Sequence, residues 1–229
     1  MQLLKNKNTK KTPVYFIPGL AAGKEIFEYI SLPEELYDVH IIEWIIPEKK
    51  ETIKQYARRM AALVKKPKPI LIGVSFGGVM AQEMNEFLDL KKLIIISSIK
   101  SKNEIPTKMR IFKTIPAYRL IPATFLENTK NLVKYGLGIK SKNKLELYQN
   151  YLSVKNTHYL KWAIKQMVGW DRVIEIKNII HIHGDKDPVF PIEKIKNCIV
   201  IPGGTHIMLI VKFKWLNENL PKIMEDRYK

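Results

Sequence analysis

Ile70-Leu71-Ile72-Gly73-Val74-Ser75-Phe76-Gly77-Gly78 is the stretch that decides the fold. Its first five residues are apolar or glycine and read as a buried strand. Beyond the paired glycines, Met80, Met84, Phe87 and Leu88 fall along one face of a helix. A serine therefore stands on a sharp turn from strand to helix. Such a turn crowds the backbone and needs small neighbours, which Gly73 and Gly77 supply, while Gly78 lets the helix close on the sheet. It also lifts the hydroxyl above the sheet and aims a helix N-terminus at it, which favours developing negative charge. Gly-x-Ser-x-Gly alone recurs by chance; the strand before it and the helix after it give it weight.

Outward from this turn, strands and helices alternate. Val14-Tyr15-Phe16-Ile17 is a short apolar run ended by Pro18-Gly19, and residues 37–44, 69–74, 92–99, 178–184 and 198–202 read as five more strands. Their hydrophobicity is continuous, as expected where both faces of a parallel sheet are covered. Ile53, Tyr56, Ala57, Met60, Ala61 and Val64 follow helical spacing, and Thr52 with Gln55 offers a capping box. Leu209, Phe213, Leu216 and Leu220 mark a last helix, which Pro221 is expected to kink or restart. The expected fold is α/β, a mostly parallel, doubly wound sheet of about six strands.

Residues 100–177 break the rhythm, being far longer than one crossover helix needs. Helix-like stretches at 106–113, 125–135, 144–154 and 158–170 are separated by Pro106, Pro116, Pro122 and Gly136-Leu137-Gly138. The expected organisation is a core of residues 1–99 and 178–229 with a helical cap inserted at 100–177. Trp162, Trp170, Tyr148, Tyr151, Tyr159 and Phe125 in this segment either line a pocket or form the cap's own core.

The composition narrows the function. Of 229 residues 46% are hydrophobic and 27% charged, ordinary values for a globular domain. The single cysteine, Cys198, excludes an intrachain disulfide and a thiolate metal cluster. Residues 1–11 are polar and lysine-rich, and no apolar run approaches a membrane span, so a cytoplasmic location is expected. The net charge of +17 invites a nucleic-acid reading. No helix-turn-helix, zinc finger or aromatic RNA signature accompanies the lysines, and no nucleic-acid partner is expected. Residues 100–177, about a third of the chain, hold 16 Lys or Arg against 5 Asp or Glu. That imbalance suits either a solvated basic face or attraction to an acidic or carrier-bound acyl substrate.

Serine is a weak nucleophile until a base takes its proton. Among five histidines, His206 in Gly203-Gly204-Thr205-His206 follows the last strand and precedes the last helix, where its glycines let the loop return over the sheet. A carboxylate at the end of the preceding strand would orient it, and Gly184-Asp185-Lys186-Asp187-Pro188 offers two. Asp187, beyond the strand end, is placed to bend towards His206, whereas Asp185 suits a local Asx-type cap. Its work would be to fix the histidine tautomer and stabilise the imidazolium. An oxyanion needs two backbone N–H donors, Phe76 after the nucleophile and Leu20 in the loop after the first strand. His181, His183 and Asp185 alternate as metal ligands sometimes do, but no second cluster completes a site. No glycine-rich phosphate loop is present, and no metal or cofactor is expected.

In these features, from Val14 to the last helix, the chain resembles the α/β-hydrolase superfamily, whose chain order of serine, acid and histidine matches Ser75, Asp187 and His206. The resemblance implies a sheet lacking the family's usual first two strands, with residues 100–177 in the place of its cap. It implies a serine hydrolase acting on an ester or thioester of small to medium size through an acyl-enzyme. Serine at the turn argues against the family's haloalkane dehalogenases and epoxide hydrolases. Lyase and carbon–carbon hydrolase relatives share the same three residues, and a non-catalytic binding protein on the same scaffold is a further alternative. Many members carry His-Gly where this chain has Pro18-Gly19; backbone donation by Leu20 survives that change, side-chain support from a histidine does not.

Overall fold

The computed structural model describes residues 10–114, 146 and 148–228. Six strands form one wholly parallel sheet in the order β2-β1-β3-β4-β5-β6. They are β1 (Thr12–Ile17), β2 (Tyr37–Ile41), β3 (Ile70–Val74), β4 (Lys92–Ile96), β5 (Ile180–Gly184) and β6 (Ile199–Ile201). All six expected strands are present, each close to its expected place. Continuous burial holds for the central β3 and, beyond Lys92, for β4. The edge strand β2 instead alternates, leaving Val39 and Ile41 exposed, because only one side of it is covered.

Among the described residues the helices include α1 (Ile53–Ala61), α2 (Phe76–Met84), α3 (Thr107–Thr114), α4 (Thr157–Gly169), α5 (Met208–Val211) and α6 (Phe213–Met224). Helix α1 starts on the expected box: the Thr52 side chain accepts from Gln55 N–H, and the Gln55 side chain accepts from Thr52 N–H. Helix α2 is buried along its whole length and packs on β3, β4 and α1. Its continuation differs from expectation, since Asn85–Phe87 tighten into a 3-10 turn and Leu88 is extended.

A second difference concerns Pro221, which does not restart the helix. Helix α6 runs through it, and the interruption falls earlier, at Lys212 between α5 and α6. A proline in a helix interior forfeits one backbone hydrogen bond and costs roughly 3 kcal/mol. Here Leu220, Ile223 and Met224 on either side are all buried in the core, and their burial at about 1.5–3 kcal/mol each offsets that cost.

Between β4 and β5, the expected stretches at 106–113 and 158–170 appear as α3 and α4, which pack on each other. The stretch at 144–154 is described in part and is helical at Glu146, Tyr148 and Gln149. The stretch at 125–135, with Phe125, Pro116, Pro122 and Gly136-Leu137-Gly138, lies outside the described residues. Among the described residues no helix is long and apolar enough to cross a membrane.

The strand order has one consequence for function. From β1 the chain steps outward to β2, then returns to lay β3 on the other side of β1. The loops leaving β1 and β3 therefore diverge at their carboxyl ends and open a crevice, the usual ligand position in open α/β sheets.

Candidate active site

Ser75 stands in that crevice, between β3 and α2. Its backbone, φ 52° and ψ −120°, lies in a region that residues with a Cβ seldom adopt, at a cost of about 1–3 kcal/mol. The surroundings fix it there. Ser75 N–H donates to the Ile96 carbonyl at 2.9 Å, and its carbonyl accepts from Ser98 Oγ at 2.7 Å and from Gly78 N–H at 2.9 Å. The glycines answer the crowding: a Cβ on Gly73 would sit 2.2 Å from the Gly77 carbonyl oxygen, and one on Gly77 would sit 2.3 Å from that of Pro18.

The half-buried Ser75 hydroxyl lies 2.9 Å from His206 Nε2. His206 Nδ1 lies 2.9 Å from Asp187 Oδ2 and 3.2 Å from Oδ1. A carboxylate only accepts, so Nδ1 carries the proton and Nε2 presents its lone pair to the serine. The histidine and the carboxylate are both buried. Asp187 Oδ1 is occupied by the N–H groups of Val189 at 2.8 Å and Phe190 at 3.0 Å, because Pro188 has none to offer. Burial pushes the Asp187 carboxyl up, but the His206 charge and hydrogen bond, with the Phe190 N–H, outweigh it and hold it below the usual range.

Asp185 has another partner, and its expected local turn is corrected. Its Oδ1 accepts from Gly203 N–H across the gap to β6, and Lys186 N–H donates to Gly204, so the loop bearing His206 is stitched to the loop bearing Asp187. The Asx-type bond belongs to Asp187 instead, through Val189. His181 and His183 also turn away from any common centre with Asp185. His183 Nε2 donates to the Phe190 carbonyl at 2.8 Å, and His181 Nε2 lies 3.2 Å from His183 Nδ1. Burial lowers the affinity of both for a proton. Among the described residues no three His, Cys, Asp or Glu side chains converge on a metal position.

The loop after β1 borders the serine on its other side, with the Cβ position of Gly19 3.6 Å from Ser75 Cβ. It folds as a turn in which Ala22 N–H donates to the Gly19 carbonyl at 3.1 Å and Ala21 takes φ 64°. Residues ahead of α4 brace it: Gly23 N–H donates to the Tyr151 carbonyl, and Val154 N–H to that of Ala21. Leu20 thus follows the residue that meets Ser75 from the β1 loop, and Phe76 follows Ser75 itself at the start of α2.

The aromatic residues of 100–177 that are described form packed contacts. Trp162 Nε1 donates to the Glu51 carbonyl, Trp170 Nε1 to Glu83 and the Tyr151 hydroxyl to Glu28. Tyr159 is wholly buried. Tyr148 stands near the acid: burial, and secondarily the Asp187 charge, push its phenol up. Three residues were not anticipated as part of the site. Ser98 holds the Ser75 carbonyl, Trp44 Nε1 donates to the Gly19 carbonyl at 3.0 Å, and Tyr56 clamps the backbone of Ile45. The one sequence signal for Trp44 is its place as the last residue of the expected strand 37–44.

No protein-family model matches the sequence, and no curated protein matches it. Solved structures do match in shape. A carboxylesterase of the ammonia-oxidizing thaumarchaeon Nitrososphaera gargenis is 15% identical with a TM-score of 0.71, over 95% of this chain and 91% of that one. A thermophilic esterase from Thermogutta terrifontis is 13% identical with a TM-score of 0.65, over 95% and 91%. An alpha/beta hydrolase fold protein from Burkholderia ambifaria is 13% identical with a TM-score of 0.65, over 92% and 90%. The fold of this chain is therefore that of the α/β-hydrolases.

Proposed function

We propose that this α/β-hydrolase-fold chain is a serine hydrolase that cleaves a carboxylic ester or thioester through an acyl-enzyme on Ser75. The observation that carries the reading is the unbroken hydrogen-bonded series from Ser75 Oγ through His206 to Asp187, at the switch point of the sheet. The esterase activities of the structural neighbours support it. In the first half-reaction, Ser75 Oγ attacks the carbonyl carbon as its proton passes to His206 Nε2. The oxyanion lies against the N–H groups of Leu20 and Phe76, at the N-terminus of α2. Collapse expels the alcohol or thiol, which takes the proton from His206. Water then repeats the sequence on the acyl group, releasing the acid and restoring the Ser75 hydroxyl. Asp187 keeps the ring in the right tautomer throughout and stabilises the imidazolium.

With a p-nitrophenyl ester, rapid mixing is expected to show a burst of nitrophenol equal to the enzyme present, and mass spectrometry the matching acyl adduct on Ser75. No nitrophenol release and no adduct, with Ser75 still labelled by a fluorophosphonate, would favour the same-site lyase or carbon–carbon hydrolase chemistry.

We further read residues 100–177 as a cap and their basic excess as recognition of an acidic acyl donor, such as an acyl group on an acidic carrier or a phosphorylated coenzyme. A lone cysteine suits a cytoplasmic setting. Exposed charges are screened beyond about 8 Å at physiological salt, so the attraction acts mainly on association rate. For an acidic donor kcat/KM is expected to fall steeply as salt rises, while a neutral ester of equal chain length barely responds. Replacing the exposed Lys102, Lys108 and Arg110 by glutamate should flatten the slope and leave kcat unchanged. Equal salt dependence for the two donors would reduce the basic face to a solvated surface.

A further inference from the structure

Trp44 occupies a position that the proposed chemistry leaves unexplained. It stands just beyond β2, half-buried, with its ring near Phe76 (centroids 5.4 Å apart, planes at 28°) and Tyr159 (5.4 Å, 36°). Its own backbone is anchored at the next residue, since the Tyr56 hydroxyl accepts from Ile45 N–H at 3.1 Å and donates to the Ile45 carbonyl at 2.7 Å. Tyr56 in turn packs on Trp162, with centroids 4.2 Å apart. The indole is therefore held from behind and on its faces, and its one polar atom, Nε1, donates to the carbonyl of Gly19.

That carbonyl belongs to the same peptide unit as the N–H of Leu20. Among the described residues no peptide bond is cis. In a planar trans peptide the C=O and N–H point in opposite directions, so fixing one aims the other. The Gly19 oxygen also accepts from Ala22 N–H, which closes the turn. Two donors on the oxygen draw electron density towards it and make the amide hydrogen a better donor. Across the crevice, the same ring rests against Phe76, whose backbone N–H is the other proposed donor.

We infer that Trp44 is a positioning residue for the oxyanion hole, setting the Gly19–Leu20 peptide through its indole N–H and bracing Phe76 with its ring. The inference rests on the serine-hydrolase reading and deepens it. It also accounts for how Pro18-Gly19, with no histidine side chain in that loop, gives a fixed donor: the support comes from the strand next door.

The test separates the N–H from the ring. Replacing Trp44 by 3-benzothienylalanine keeps the shape and removes only the donor; Trp44→Phe is the encoded counterpart. Losing a whole oxyanion donor costs about 10²–10³ in kcat, so loosening one should cost about 10–100. We expect that fall in kcat for the benzothienyl enzyme, with KM within about threefold, Tm unchanged and affinity for a boronic acid analogue of the tetrahedral adduct weakened by the same factor. Full wild-type kcat and boronate affinity in the benzothienyl enzyme would overturn the inference, as would a raised KM at unchanged kcat, the signature of a pocket wall. Wild-type protein that is inert to esters and unlabelled at Ser75 would instead bring down the hydrolase reading, and the role of Trp44 with it.

Discussion

Ser75→Ala is expected to abolish labelling by a fluorophosphonate probe and to lower turnover of a p-nitrophenyl ester by on the order of 10⁶, the scale at which a nucleophile and its base fail as a unit. The loss should be confined to chemistry. The hydrogen bonds that hold the strained turn use the backbone of Ser75, from its N–H to Ile96 and from Ser98 Oγ and Gly78 N–H to its carbonyl. None needs the hydroxyl, whose partner is His206 Nε2. Alanine can therefore occupy the same φ of 52° without further strain, and Tm should move by no more than a few degrees. Labelling that persists at another serine, or ester turnover near wild type, would remove Ser75 from the proposed role.

The parts of this site that the sequence made readable are those encoded by neighbours in the chain. Ser75 announces itself because strand, glycines and helix are contiguous. The central strands do so because burial on both faces leaves no polar residue in Leu93-Ile94-Ile95-Ile96. The parts that were not readable join residues distant along the chain. Nothing local to Ser98 says that its hydroxyl will meet the Ser75 carbonyl, and Trp44 reaches Gly19 across 25 residues. Pro221 is the same case in reverse: read alone it suits a restart, yet α6 continues through it. Its local effect is to break a helix, and the buried Leu220, Ile223 and Met224 override it. Asp185 and Asp187 show both cases within three residues. Their positions relative to the strand end distinguish them in the sequence, but the partner of Asp185, Gly203, comes from the far side of β6.

That pair supports the second large effect, expected for Asp187→Asn against Asp185→Asn. An asparagine at 187 would keep its oxygen towards Val189 and Phe190, where two N–H groups require an acceptor. Its NH₂ would then occupy the Oδ2 position, 2.9 Å from His206 Nδ1 in the wild type. A donor there forces Nδ1 to accept, moves the ring proton to Nε2 and turns that proton on Ser75. The serine then has no base, and kcat is expected to fall by about 10⁴ while the loop stays folded. Asparagine at 185 can still accept from Gly203 N–H, so its kcat should change by less than about tenfold. The acid side of stability gives an independent check. The Asp187 carboxyl is held below its unfolded value of about 3.9, so its contribution is full above that pH and is lost as pH falls through the lower folded value. The Tm gap between wild type and Asp187→Asn should accordingly narrow below about pH 4. A larger kcat loss at 185 than at 187 would transfer the orienting role to Asp185.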